Sequence, residues 1–310
     1  MNRLLIATVI ATALQACAVT GQPPTPIRPP IPAPILPPPA PQPRPYDGHV
    51  THIASWLPNA GADGSASFTN TMMLAMDCGD PVAAAAALRV RANSDGRAII
   101  LHSGLMGWGN EGYQVIDAIA DCWPLERAFI ADYRPRLVSV HTADEPWDVA
   151  WSYWQHGVYM PNRYNADIAR ICAMVHGDFP DLPCAVNVGS VPAALQIPAG
   201  VNEVWIESYD ADWRVKLDAI AGRTSATLAL MPPGFVAGDP AVLDAQKAAL
   251  VQAEWIEAQA NPRVQLLVWF LWCCDDTVTG DRNFYSVSGG RLPQTLAALV
   301  DVGQQMRTAR

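Results

Sequence analysis

The 310-residue chain is half hydrophobic and carries a net charge of −9, from 20 basic and 29 acidic residues. That is ample apolar sequence for one core of barrel size, which takes roughly 250 residues. The acidic balance argues against a nucleic-acid partner, which needs clustered Lys and Arg, and leaves neutral or cationic ligands open.

The chain starts with the features of an export signal. Asn2-Arg3 gives a short positive start, and the apolar run from Leu4 to Leu14 is too short to span a bilayer. Leu14-Gln15-Ala16-Cys17 resembles the lipobox of bacterial lipoproteins. The resemblance implies a signal peptide over 1–16, a lipid on Cys17 and membrane attachment through that lipid; Gln15 is unusual in the motif, so plain signal cleavage nearby is the alternative. Residues 17–45 carry the lipidation site and a stretch dominated by proline. Proline fixes φ and lacks an amide donor, so this stretch is expected to be an extended spacer. Seven cysteines in an exported chain make disulfides plausible. Apart from Cys17, sequence order pairs Cys78 with Cys122 and Cys172 with Cys184, and leaves the adjacent Cys273-Cys274 as a further pair. No spacing fits a zinc site, and neither metal nor cofactor is expected.

From residue 46 to 310 short β-rich runs alternate with longer helical stretches, the pattern of βα units on a parallel sheet. Strands are expected at 49–56, 69–75, 98–102, 137–141, 184–188, 203–207, 227–231 and 264–272. Helices are expected at 81–92, 113–132 (with a break near Pro124), 164–176, 213–221, 240–260 and 293–306. The links after the first and fifth strands show no clear helix. Runs such as Leu266-Leu267-Val268-Trp269-Phe270 fit strands buried on both faces. Eight strands predict a single (β/α)8 TIM barrel; an open doubly wound sheet is disfavoured because no glycine-rich phosphate loop follows an early strand.

Barrel enzymes carry their chemistry at the C-terminal strand ends. Those ends offer Trp56 after the first strand, His102 and then Trp108 after the third, and His141, Asp144, Glu145 and Trp147 on and after the fourth. The sixth offers Glu207, Tyr209 and Asp210, and the eighth Trp272. Carboxylates supply acid/base or nucleophilic chemistry and aromatic rings stack on sugar faces. Catalytic roles fall to Glu145, Asp144 and Glu207. Substrate contacts fall to Tyr209, Asp210, Trp272, Trp56, Trp108, Trp147, His102 and His141.

The segment from Leu137 through Asp144-Glu145-Pro146-Trp147 resembles the barrel glycosidases. In the large clan of retaining enzymes the fourth strand ends in Asn-Glu, and the resemblance makes Glu145 the acid/base with Asp144 in the Asn position. Tyr209 and Trp272 match the tyrosine after strand six and the tryptophan ending strand eight. The clan's nucleophile, a Glu ending strand seven, has no counterpart in Leu230-Met231-Pro232-Pro233-Gly234. Two pairings remain open. Glu145 could work with Glu207 or Asp210, or Asp144-Glu145 could work as in substrate-assisted hexosaminidases, where Asp orients the acetamido group and Tyr209-Asp210 would support it.

Plainer readings exist for each residue. An acidic pair before proline often only begins a helix, Glu207 could serve a salt bridge, and Tyr209-Asp210 could be a turn. Trp205, Trp255 and Trp269 are assigned to packing. The expectation is a glycosidase acting on an envelope or extracellular polysaccharide. A catalytically silent sugar-binding or structural lipoprotein is the alternative.

Overall fold

The computed structural model describes residues 48–55, 68–109, 112–115, 119–147, 162, 164–207, 211–237, 239–269, 284–286 and 290–308. The leader, Cys17 and the spacer lie outside these residues, as do Trp56, Tyr209, Asp210, Trp272 and Cys273-Cys274.

Eight parallel strands close into a barrel. In chain order they are β1 (His52–Ser55), β2 (Thr71–Ala75), β3 (Ala98–His102), β4 (Leu137–Ala143), β5 (Cys184–Val188), β6 (Glu203–Glu207), β7 (Thr227–Met231) and β8 (Val264–Trp269). Each pairs with its chain neighbours, and β8 pairs with β1 in register Ile53 to Leu267 to complete the ring. The helices are α1 (Pro81–Ser94), α2 (Ile119–Tyr133), α3 (Asn165–Asp178), α4 (Trp213–Ala221), α5 (Pro240–Ala260) and α6 (Pro293–Thr308). The fold is a single (β/α)8 TIM barrel.

Strand side chains alternate between faces, so parity divides the core. Ala54, Met73, Ile100, Ala185, Trp205, Ala229, Met231, Leu266 and Val268 fill the barrel interior. Their neighbours, among them Ile53, Leu101, Val186, Val204, Ile206 and Leu267, join the layer against the helices. Trp205, Trp255 and Trp269 are fully buried, as expected for packing residues.

Local chemistry sets the helix starts. Asp80 accepts from the Ala83 amide at 3.2 Å before Pro81 begins α1, and Asp239 accepts from the Ala241 amide at 2.9 Å before Pro240 begins α5. An acidic N-cap followed by proline satisfies a donor that the helix cannot. The start of α6 is capped from α5: Asp244 accepts from the amides of Gln294 (2.9 Å) and Thr295 (2.8 Å). At the opposite barrel face two arginines collect carbonyls at helix ends and in the turns leading to strands. Arg136 donates to Ala92, Arg97 and Asp95, and Arg263 donates to Ala221, Thr224 and Ala226 at 3.0, 2.6 and 2.7 Å.

Three expectations need correction. Residues Gly112–Val115 form a strand, antiparallel to Met106–Gly109, where a helix was expected to be under way. Helix α2 therefore starts only at Ile119, and it runs through Pro124 without a break. Pro124 falls early in that helix, where its missing amide removes one bond close to the terminus. The first strand is shorter than expected, because His49 turns away and bonds the carbonyls of Ala258 (2.7 Å) and Asn261 (3.1 Å).

Two disulfides form as sequence order predicts. Cys78–Cys122 ties the segment after β2 to the start of α2, and Cys172–Cys184 ties α3 to the start of β5. The first lies on the face where strands end and the second on the face where they begin. Residues 189–202, after β5, hold turns and no helix, as expected. A second accessory pair, Phe235–Ala237 with Phe284–Ser286, joins the segments after β7 and β8.

Candidate active site

Parity brings one layer of polar side chains to the interior of the barrel at its C-terminal end. Trp205 points inward, so Glu207 two residues on does too; Ala185 likewise carries Asn187 inward, and Ile100 carries His102. His141 of β4 joins them, and its ring stacks on Trp205 with centroids 4.4 Å apart. The result is a polar floor resting on an indole.

Asn187 is the hub of that floor. Its Nδ2 donates to Asp144 Oδ1 at 2.7 Å and to Glu207 Oε2 at 2.6 Å. Its Oδ1 accepts from the Glu145 backbone amide at 2.8 Å and lies 3.2 Å from His141 Nε2. Behind it, His141 Nδ1 and His102 Nδ1 are 2.7 Å apart. One amide thus joins β4, β5 and β6 and links the two histidines to the carboxylates.

Glu145 takes its place through an unusual backbone. Its φ is +43°, a left-handed conformation that a residue with a Cβ rarely adopts. This turn carries the half-buried Glu145 across to β5, where its carboxyl lies against Gly189. A Cβ on Gly189 would fall 1.6 Å from Glu145 Oε1, so any larger residue there would force the carboxylate out of this position. Strain of this kind persists where the surroundings over-determine it, and it clusters at functional sites.

Burial and mutual repulsion set the charges. Glu207 is 5% exposed. Burial first, then the charges of Glu145 and Asp144, push its carboxyl well above the ordinary glutamate value, while the Asn187 bond and Lys216 pull it down. Asp144 keeps solvent-accessible surface, but its carboxyl is crowded by the barrel mouth, and desolvation pushes it up to about 6 against the Asn187 bond. Burial lowers His102 to about 4, and burial with the His102 charge holds His141 well below the usual histidine value, both of which favour the neutral ring.

No protein-family model matches the chain, and no curated protein matches it in sequence. Among solved structures, native xylanase 10B from Thermotoga maritima is similar with a TM-score of 0.56 at 10% identity, over 86% of this chain and 98% of that one. Xylanase 10B from Thermotoga petrophila RKU-1 in complex with xylobiose gives 0.52 at 10% identity, over 84% and 96%. The chain shares the (β/α)8 barrel fold of these two xylanases. At such identity the likeness speaks of fold alone.

In a (β/α)8 barrel the polar floor described above lies at the end where active sites sit. Of the residues singled out from sequence, Asp144, Glu145, Glu207, His102 and His141 come together there. His141 has no exposed surface, and its Nε2 lies against Asn187 beneath the mouth. Trp147 is buried in the layer between strands and helices, and its indole donates to Asn165 Oδ1 at 2.9 Å, so it packs there and does not line an open mouth. Trp108 is in the accessory hairpin, with its backbone paired to Tyr113. The inward end of β7 is Met231, fully buried, with no carboxylate on it. Among the described residues the only group spaced to hold a metal is Cys78, Cys122 and Glu126, and its cysteines are joined as a disulfide.

Sequence reasoning missed three residues. Asn187 and Gly189 organise the site, and Glu126 is a fully buried carboxyl beside the Cys78–Cys122 disulfide. Neither oxygen of Glu126 has a hydrogen-bond partner, although Ser103 and Gly104 face it, and burial raises it to about 7.

Proposed function

We propose that this protein is a glycoside hydrolase acting on an envelope or extracellular polysaccharide, with Glu145 as general acid/base and Asp144 and Glu207 as its acidic partners. The observation that carries the reading is the convergence of these three residues on Asn187 at the C-terminal end of the barrel, Asp144 and Glu207 through their carboxyl groups and Glu145 through its backbone amide. The two that retain exposed surface, Asp144 and Glu145, are adjacent in sequence, and Glu207 lies behind them.

In this reading Glu145 protonates the departing glycosidic oxygen and takes the proton back from the incoming water. Asp144 meets the positive charge that develops at the anomeric carbon, or orients an acetamido group if the sugar carries one. Tyr209, Asp210, Trp56, Trp108 and Trp272 are the proposed sugar contacts. Export and a lipid on Cys17 complete the proposal. Two disulfides are compatible with an exported protein, and among the described residues no helix is long and apolar enough to cross a membrane.

The test is hydrolysis of a panel of aryl glycosides and bacterial polysaccharides by the full chain beside Glu145→Gln. Turnover that falls by about 100-fold or more in the variant supports the acid/base role. A preference for N-acetylated sugars selects the substrate-assisted route. A second reading, a silent sugar-binding barrel, is favoured by the apolar end of β7 at Met231. Saturable polysaccharide binding without cleavage, unchanged by Glu145→Gln, would establish it.

A further inference from the structure

The polar floor contains more order than a glycosidase reading requires. The Glu145 amide can only donate, so the Asn187 atom facing it is the carbonyl oxygen, and the NH2 group faces the carboxylates. That fixes the next bond: His141 Nε2 lies on the same oxygen and must carry a hydrogen. A neutral His141 protonated at Nε2 is bare at Nδ1, so the 2.7 Å contact with His102 requires the hydrogen to sit on His102 Nδ1. Every bond from His102 to Asp144 and Glu207 therefore has one defined direction. The two carboxylate oxygens at the far end share a single nitrogen, 2.7 and 2.6 Å from it, and so lie at most 5.3 Å apart, a separation at which two carboxylates do not both ionise freely.

We propose that Asn187 is the positioning residue of this site, its amide held in one orientation by the Glu145 backbone amide and backed by the His102–His141 pair, so that Asp144 and Glu207 act as one unit holding a single proton. The proposal rests on the glycosidase reading for its catalytic meaning and on the hydrogen-bond directions for its geometry. The proton resides on Glu207, the more buried of the two, leaving the exposed Asp144 as the anion that faces the mouth. The charged and titratable groups around the unit, among the described residues, are His102 from β3, His141 and Glu145 from β4 and its turn, and Lys216 from α4. Lys216 also donates to the Glu207 carbonyl at 3.2 Å and feels the buried Glu254 of α5. Loss of the shared proton puts two negative charges on one amide. Addition of a second proton removes the anion from the mouth.

The test begins with the full chain labelled with 15N, reading each histidine ring by NMR, which needs no substrate. The expected result is His102 in the Nδ1–H form and His141 in the Nε2–H form, both neutral from pH 5 to 8, with assignment by His102→Gln. Two rings in the same tautomer, or either ring charged at pH 6, would overturn the proposal whether or not the protein cleaves a sugar. Carboxyl 13C titration of the same sample should show Asp144 and Glu207 titrating as a coupled pair, and Asn187→Ala should uncouple them. On any glycoside that is turned over, Asn187→Ala should lower kcat by about 100-fold at little change in KM and move the acidic limb of the pH profile. His141→Gln, which can still donate to Asn187, should retain that limb, whereas His141→Phe should lose it. Normal ring tautomers with no turnover would count against the glycosidase reading alone. Activity and pH limb unmoved in Asn187→Ala would count against the positioning role alone.

Discussion

At the scale of single residues, the site depends on one missing side chain. Gly189→Ala would drive a methyl group into the Glu145 carboxyl, so kcat/KM should fall by about 100-fold while the thermal midpoint hardly moves. A variant that loses activity and midpoint together would show that Gly189 serves folding. Glu126 makes a second, independent case. Its carboxyl moves from an ordinary value of 4.5 to about 7 on folding, so the folded state holds the proton more tightly. Its burden on stability is absent at low pH, grows as pH rises through that window and is complete above it. Relative to Glu126→Gln, the native chain should lose about 3 kcal/mol between pH 4.5 and 8, read from urea unfolding of both proteins. Asp144, Glu145, Glu207 and the two histidines were legible in the sequence because each ends, or directly follows, an apolar run. Asn187 was not, although it is the one polar residue in Cys184–Val188. Asparagine belongs to no acid/base motif, and its importance comes from inward parity shared with Ala185, which only the barrel reveals.

Among the elements, the strands were clear from sequence because burial on both faces makes them continuously apolar. The accessory hairpin at 106–115 was not. Its strands are short and stand outside the barrel, so no long apolar run marks them, and Tyr113 onward ran into a true helical pattern. Helices α1 and α5 begin at Asp-Pro, and Arg136 and Arg263 bond carbonyls at the C-terminal ends of α1 and α4. Each arginine stands directly before a barrel strand and donates to carbonyls at a helix end and in the turn beside it. Arg136→Met or Arg263→Met should each cost about 2–3 kcal/mol in urea unfolding at unchanged slope. Because both lie on the face away from the carboxylates, turnover by the folded fraction should stay within about twofold of the parent.

Across the whole molecule, eight strands and ring closure followed from the alternation of short and long elements, whereas the register that joins β8 to β1 had no local signature. The two disulfides divide the work between faces. In the chain-entropy account, the bond closing 44 residues contributes about 4 kcal/mol and the one closing 12 about 3. Replacing Cys78 and Cys122 by alanine should lower both stability and activity, because Cys78 packs against Gly104, two residues after His102. Replacing Cys172 and Cys184 should lower stability alone, and calorimetry beside an activity assay separates the two. These pairs are also consecutive along the chain, neither nested nor interleaved. In a chain delivered N-terminus first, each sulfur of these four meets its proper partner before a competitor from this set arrives. Oxidation during such delivery, in a host without an enzyme to reshuffle mistakes, should then reach the native connectivity, and peptide mapping of the protein so produced would reveal it.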